Sequence, residues 1–125
     1  MLDVPAHFLI VHFPLVLIIG AVFCDLGKHH EAGYRLTLWA AAGGALAVLT
    51  GLLQVGGELS ELPVHAGAGI TGAFVALILA VLRYSRRARG EDFSVFPQAW
   101  LLVEILSVLG IVIAAITGHR AVLGF

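Results

Sequence analysis

The sequence predicts an all-α membrane protein: a four-transmembrane-helix antiparallel bundle, residues 1–125 forming one domain, with both termini on the extracytoplasmic side. Three observations carry this. The chain is 60% hydrophobic and 12% charged, against the roughly half-apolar and quarter-charged balance of soluble domains. Its apolar residues fall into four blocks, each near the ~20 residues needed to cross ~30 Å of hydrocarbon at 1.5 Å per residue. The basic residues cluster beside alternate breaks between those blocks.

The first helix is expected over residues 6–25, the second over 34–55, the third over 62–84 and the fourth over 97–118. The breaks between them have the composition of turns. Gly27-Lys28-His29-His30-Glu31 forms the first, Gly56-Gly57-Glu58-Leu59-Ser60-Glu61 the second, and the charged run from Arg83 to Asp92 the third. Pro63 and Pro97 stand where a first-turn proline is tolerated, because the missing N–H has no helical partner there. Short connections make sequential helices antiparallel neighbours. The N-terminus shows neither a basic region nor a small-residue cleavage site, so the first apolar block is expected to remain in the mature protein.

Cytoplasmic loops beside membrane spans carry the excess of Lys and Arg. Lys28 and Arg35 flank the first break, and Arg83, Arg86, Arg87 and Arg89 crowd the third, whereas only Arg120 lies on the other side with Asp3, Glu58 and Glu61. The net charge of −1 gives no overall basic field for nucleic acid. Expected surroundings are therefore lipid, in the bacterial inner (cytoplasmic) membrane. Cys24 stands alone and reads as a small buried apolar residue.

Small residues line two helix faces. On the second helix Ala40, Gly44, Ala47 and Gly51 recur at spacings of four, three and four, which suits close helix packing. On the third, His65, Ala68, Gly69 and Gly72 share a face, and there packing and room for a flat ligand weigh equally.

Six histidines sort by membrane side. His29 and His30 belong to the cytoplasmic break, where a solvated role is expected. His7 and His12 open the first helix, His65 opens the third and His119 closes the fourth, so antiparallel threading gathers all four at one leaflet. His12 lies about 7.5 Å deeper than His7 and about 140° around the helix from it, so the two do not easily share one metal unless Pro14 loosens the turn. Imidazoles from two helices supply both axial bonds to a haem iron, and bundle cores are recurrent sites for such cofactors. The leading expectation is one or two b-type haems, with His12 and His65 as the first axial pair. His7 and His119 then hold a second haem or a propionate, with Arg120 as counter-charge. No Cys-x-x-Cys-His run exists for covalent attachment, so haem would be held non-covalently. Imidazole clusters also suit copper or zinc, and interfacial histidines also satisfy helix ends and headgroups without any cofactor.

Glu104 falls inside the fourth helix, where a carboxyl is costly. A proton-relay role is one reading, but a paired or protonated group is preferred, reached by Arg35 or by Ser107. Asp25 is expected to pair locally with Lys28. Thr50 and Gln54 are expected to hydrogen-bond between helices, and Trp39 and Trp100 to sit in an interfacial belt. No paired carboxylates, nucleophile elbow or phosphate-binding glycine loop supports hydrolytic or phosphoryl-transfer chemistry.

The segment His7-Phe8-Leu9-Ile10-Val11-His12-Phe13-Pro14 resembles the opening signature of a bacterial family of small four-helix integral membrane proteins of unknown function. His7, Val11, His12, Phe13, Pro14 and Asp25 match that pattern. Phe8 stands where a proline often follows the first histidine, and the end of the fourth helix departs from the commoner Gly- and Tyr-containing form. Some relatives look fused to rubredoxin or encoded with respiratory components, so the resemblance implies redox surroundings. Together these readings anticipate an electron carrier rather than a stand-alone enzyme, exchanging electrons with a membrane redox partner, a quinol or an extracytoplasmic carrier, as a lone chain or a homo-oligomer. The alternative is a non-catalytic subunit of a larger respiratory or photosynthetic membrane complex.

Overall fold

The computed structural model describes residues 4–54, 63–90 and 98–123. They form four helices: α1 (Val4–Leu26), α2 (His30–Gln54), α3 (Pro63–Ala88) and α4 (Gln98–Leu123). The stretches His30–Leu53, His65–Ala88 and Ala99–Gly118 are each long and apolar enough to cross a membrane, and α1 contributes the shorter apolar stretch Ile10–Leu26. The chain thus has the build of a multi-pass membrane protein.

Three helices extend well past their expected ends, α4 by five residues to Leu123. α2 starts four residues early, at His30, because α1 closes in a tight cap rather than a loop. His29 N–H donates to Cys24 O at 2.7 Å and Lys28 N–H to Asp25 O at 3.1 Å, with Lys28 in the left-handed region at φ 61°. This is the double hydrogen-bond pattern that satisfies carbonyls at a helix C-terminus. α3 runs on through Arg86 and Arg87 to Ala88, where cations favour the negative end of the helix dipole. Gly90, at φ 71°, closes it with an N–H bond to Arg87 O.

The helices stand at the corners of a square. α1 packs on α2 and α4, α3 packs on α2 and α4, and α1 lies diagonally across from α3. Antiparallel packing between neighbours shows in paired contacts. Phe13 and Pro14 lie against Gly43, and Leu36 lies against Gly20. On the other side of the bundle, the ring of His65 lies against Gly118, and Gly72 meets Ser107 and Ile111. α1 continues as a helix through the fully buried Pro14. The centre is filled by Ile18, Ala21, Ala40 and Ile111, with Leu15, Leu17, Leu36 and Val108 packed around them. Large apolar side chains such as Val16, Phe23, Leu53, Phe74, Leu102 and Leu106 face outward, as acyl chains require of the outer surface of a bundle.

The small-residue faces are packing faces. On α2, Ala40 is buried and Gly44 lies against Ala73 of α3. On α3, where packing and room for a flat ligand weighed equally, the stripe is filled by α4. A Cβ at Gly72 would stand 2.8 Å from Ile111 Cγ1 and 2.9 Å from Ile111 N, and one at Gly110 would stand 3.0 Å from Gly72 Cα. Ser107 Oγ donates to Gly72 O at 2.9 Å across the same contact. Backbone meets backbone here, which leaves a side chain nowhere to go. Gly72→Leu is therefore expected to lower the thermal midpoint in detergent sharply, costing at least the ~1–3 kcal/mol typical of overpacking. Gly67→Ala, with nothing within 4 Å of the new Cβ, is expected to leave the midpoint unchanged or slightly raised.

Candidate functional site

The strongest polar constellation lies at the bundle end that holds the α1–α2 turn, and it is built on Arg83. Its side chain is completely buried, as is that of Glu104, and Asp25 is nearly so. Arg83 Nη1 donates to Asp25 Oδ2 at 2.8 Å, to Glu104 Oε1 at 3.1 Å and to Thr37 Oγ1 at 3.3 Å. Nη2 donates to Asp25 Oδ1 at 3.1 Å and to His30 O at 2.8 Å. One guanidinium from α3 thereby engages α1, α2 and α4 at once. The pairing with Asp25 is two-pronged, the geometry that a planar fork of donors makes strongest.

Each partner is prepared by its own helix. Gly33 gives the Asp25 carboxylate its place, since a Cβ there would stand 2.5 Å from Oδ1. Thr37 donates its hydroxyl proton to Gly33 O at 2.8 Å, which leaves its oxygen lone pairs for Arg83. His30 Nδ1 lies 2.8 Å from Asp25 Oδ1. His30 also lines an open depression of about 520 Å³ bordered by Lys28, His29, Glu31, Ala32 and Arg35. At the rim, Glu31 pairs with Arg87 and with Arg35, Arg87 lies over the Tyr34 ring and Arg86 over the Trp100 ring. Trp39 and Tyr84 are exposed.

Several expectations are corrected here. Arg83 is an interior charge and not one of the loop charges. Asp25 pairs with Arg83 and His30 instead of Lys28, because it continues the buried face of α1 through Pro14, Ile18 and Ala21. Glu104 is reached by Arg83 rather than by Arg35, which pairs with Glu31, or by Ser107, which bonds to Gly72 O. His30 is half-buried and bonded, not simply solvated, because α2 begins at that residue; His29 is exposed as expected.

The opposite end of the bundle carries the histidines. His65 Nδ1 lies 2.6 Å from Ala114 O, and its ring packs on Gly118. His12 is half-buried on α1, at the same end and diagonally across from α3. The buried positions of α1 run Pro14, Ile18, Ala21 and Asp25, and His12 lies about 160° around the helix from Pro14 by regular helical geometry. His7 and His119 fall on helical backbone, but their side chains, with those of Arg120 and Gln54, lie outside the described residues. Among the described residues no group of three or more His, Cys, Asp or Glu side chains gathers as a metal site.

Comparison with protein-family models, with curated proteins and with solved structures finds no match to this chain. Its chemistry is therefore read from the two ends of the bundle alone. The Arg83 cluster makes a direct prediction. Arg83→Met leaves two buried carboxyls without their cation, and is expected to cost about 3–5 kcal/mol of stability. Arg83→Lys is expected to recover only part of that, since one ammonium cannot span the donors of a fork. Unfolding in mixed micelles, followed by circular dichroism, measures both.

Proposed function

We propose that this chain is a membrane-embedded electron carrier that holds a b-type haem non-covalently at its histidine-bearing end, with His65 as one axial ligand. The observation that carries the reading is the His65 hydrogen bond. A ring N–H on Nδ1 donated to Ala114 O leaves Nε2 as the nitrogen with the lone pair, and metal-binding histidines are held by this kind of second bond. A bound haem supplies one-electron chemistry; the chain supplies the ligands, their orientation and an apolar surround.

The second imidazole comes from α1, from His12 or His7. His12 lies in the Val11-His12-Phe13-Pro14 segment that resembles the four-helix family, while the helical position of His7 is in step with the line through Pro14, Ile18, Ala21 and Asp25. His119 and Arg120 are the remaining candidates for a second haem or for its propionates. The excess of positive charge at Lys28, Arg35, Arg86, Arg87 and Arg89 supports placing the α1–α2 turn in the cytoplasm. The histidine end then faces the extracytoplasmic side of a bacterial cytoplasmic membrane, where a quinol, a membrane redox partner or an extracytoplasmic carrier exchanges electrons with it.

A second reading is favoured by the packing of the same side chain. His65 on Gly118 and Ala114 also ties α3 to α4, which suits a non-catalytic subunit of a larger membrane complex. Spectra of protein purified from haem-replete cells separate the two. The haem reading expects a Soret band with split α and β bands on reduction, lost in His65→Ala and in one of His7→Ala or His12→Ala. A colourless protein free of iron, copper and zinc overturns it and leaves the subunit reading, which then expects co-purification with larger partners.

A further inference from the structure

We propose that the cluster of Asp25, Arg83, Glu104 and His30 is a proton-binding site, holding one exchangeable proton shared between Glu104 inside and His30 at its mouth, and open only toward the α1–α2 turn. The inference is independent of whether the other end of the bundle holds haem.

Charge balance carries it first. Two fully or nearly buried carboxyl groups, Asp25 and Glu104, both bond to the same nitrogen of one buried guanidinium. With both carboxyls ionised and the imidazole neutral, the cluster holds one excess negative charge in an apolar bundle, where an uncompensated charge is strongly disfavoured. One added proton makes the cluster neutral.

The structure provides two places for that proton. Glu104 Oε2 is buried with no hydrogen-bond partner among the described residues. His30 shares Asp25 with Arg83 and is the member that also borders the open depression. The other titratable and charged groups nearby lie outside the cluster. From α2, Glu31 is paired with Arg87 and Arg35; from α3, Arg87 also lies over Tyr34; Lys28 and His29 stand in the exposed turn. From α4, Glu104 is the titratable group facing the cluster. The inner route is closed one turn deeper, where Ser107 has its hydroxyl committed to Gly72 O and the α3 and α4 backbones touch at Gly72 and Gly110. Protons therefore enter and leave from one side, and the cluster does not form a path across the bundle.

Infrared difference spectroscopy of the purified full chain, titrated in H₂O and D₂O, tests this, together with ¹⁵N spectra of the histidines. At neutral pH the wild type is expected to show one D₂O-sensitive carboxylic C=O band that shifts on ¹³C-glutamate labelling, or, in its place, a His30 imidazolium. Raising the pH is expected to remove that signal with release of one proton. Glu104→Gln is expected to abolish the band. Asp25→Asn is expected to abolish it as well, although Glu104 is intact, because one carboxylate then balances Arg83. Ionised carboxyls with a neutral His30 throughout the neutral range overturn the proposal, as does a glutamate band that persists in Asp25→Asn. Because the ¹³C and ¹⁵N measurements on the wild type decide the first point alone, the test stands even where a variant fails to fold.

Discussion

Everything distinctive about this bundle depends on one guanidinium held out of water. Arg83 is the point at which all four helices meet: α1 through Asp25, α2 through Thr37 and the His30 carbonyl, and α4 through Glu104. In hydrocarbon, helices gain little from burying apolar surface against one another, so packing and polar bonds must specify how they assemble. Close small-residue contacts, Gly44 on Ala73 and Gly72 on Ile111, give proximity without saying which helix belongs at which corner. A buried cation with acceptors on three other helices does say so, since any other arrangement strands a charge.

This role has a cost that the sequence meets locally. Gly33 clears room for the Asp25 carboxylate, and Thr37, one turn on, turns its hydroxyl so that the oxygen accepts from Arg83. The cap at Lys28 ends α1 at the depth where Asp25 turns inward, and it starts α2 with His30 beside that carboxylate. Four features within residues 28–37 thus serve one site, whose cation and second acid stand far along the chain at Arg83 and Glu104. The two ends of the bundle are accordingly different in kind: one is an ionic cluster built on Arg83, the other carries His65 on the Ala114 carbonyl.

The helices were legible from block length and break composition, because a membrane span is a requirement on a continuous stretch of residues. The packing role of Ala40 and Gly44 was equally plain from spacing. Charge at helix ends was harder to read. Arg83 stands in a run with Arg86, Arg87 and Arg89, and nothing local separates the arginine that turns inward from those that stay at the rim. The available signal was depth: Asp25, Arg83 and Glu104 each lie within about two turns of the same bundle end, so one cation and two acids were at matching levels on different helices. His30 was misread for a related reason, as its role follows from a cap that starts α2 at that residue. At the His65 face the spacing suited close packing and room for a flat ligand equally, and only the structure shows that α4 takes up the space.

The most direct test of the account is a double-mutant cycle between Arg83→Met and a paired Asp25→Asn, Glu104→Gln change, read as unfolding free energy in mixed micelles. If Arg83 and the two carboxyls act as one unit, the combined variant is expected to be more stable than Arg83→Met alone, because no buried charge is left unmatched. Strict additivity of the two changes would show that the bundle does not depend on that interaction.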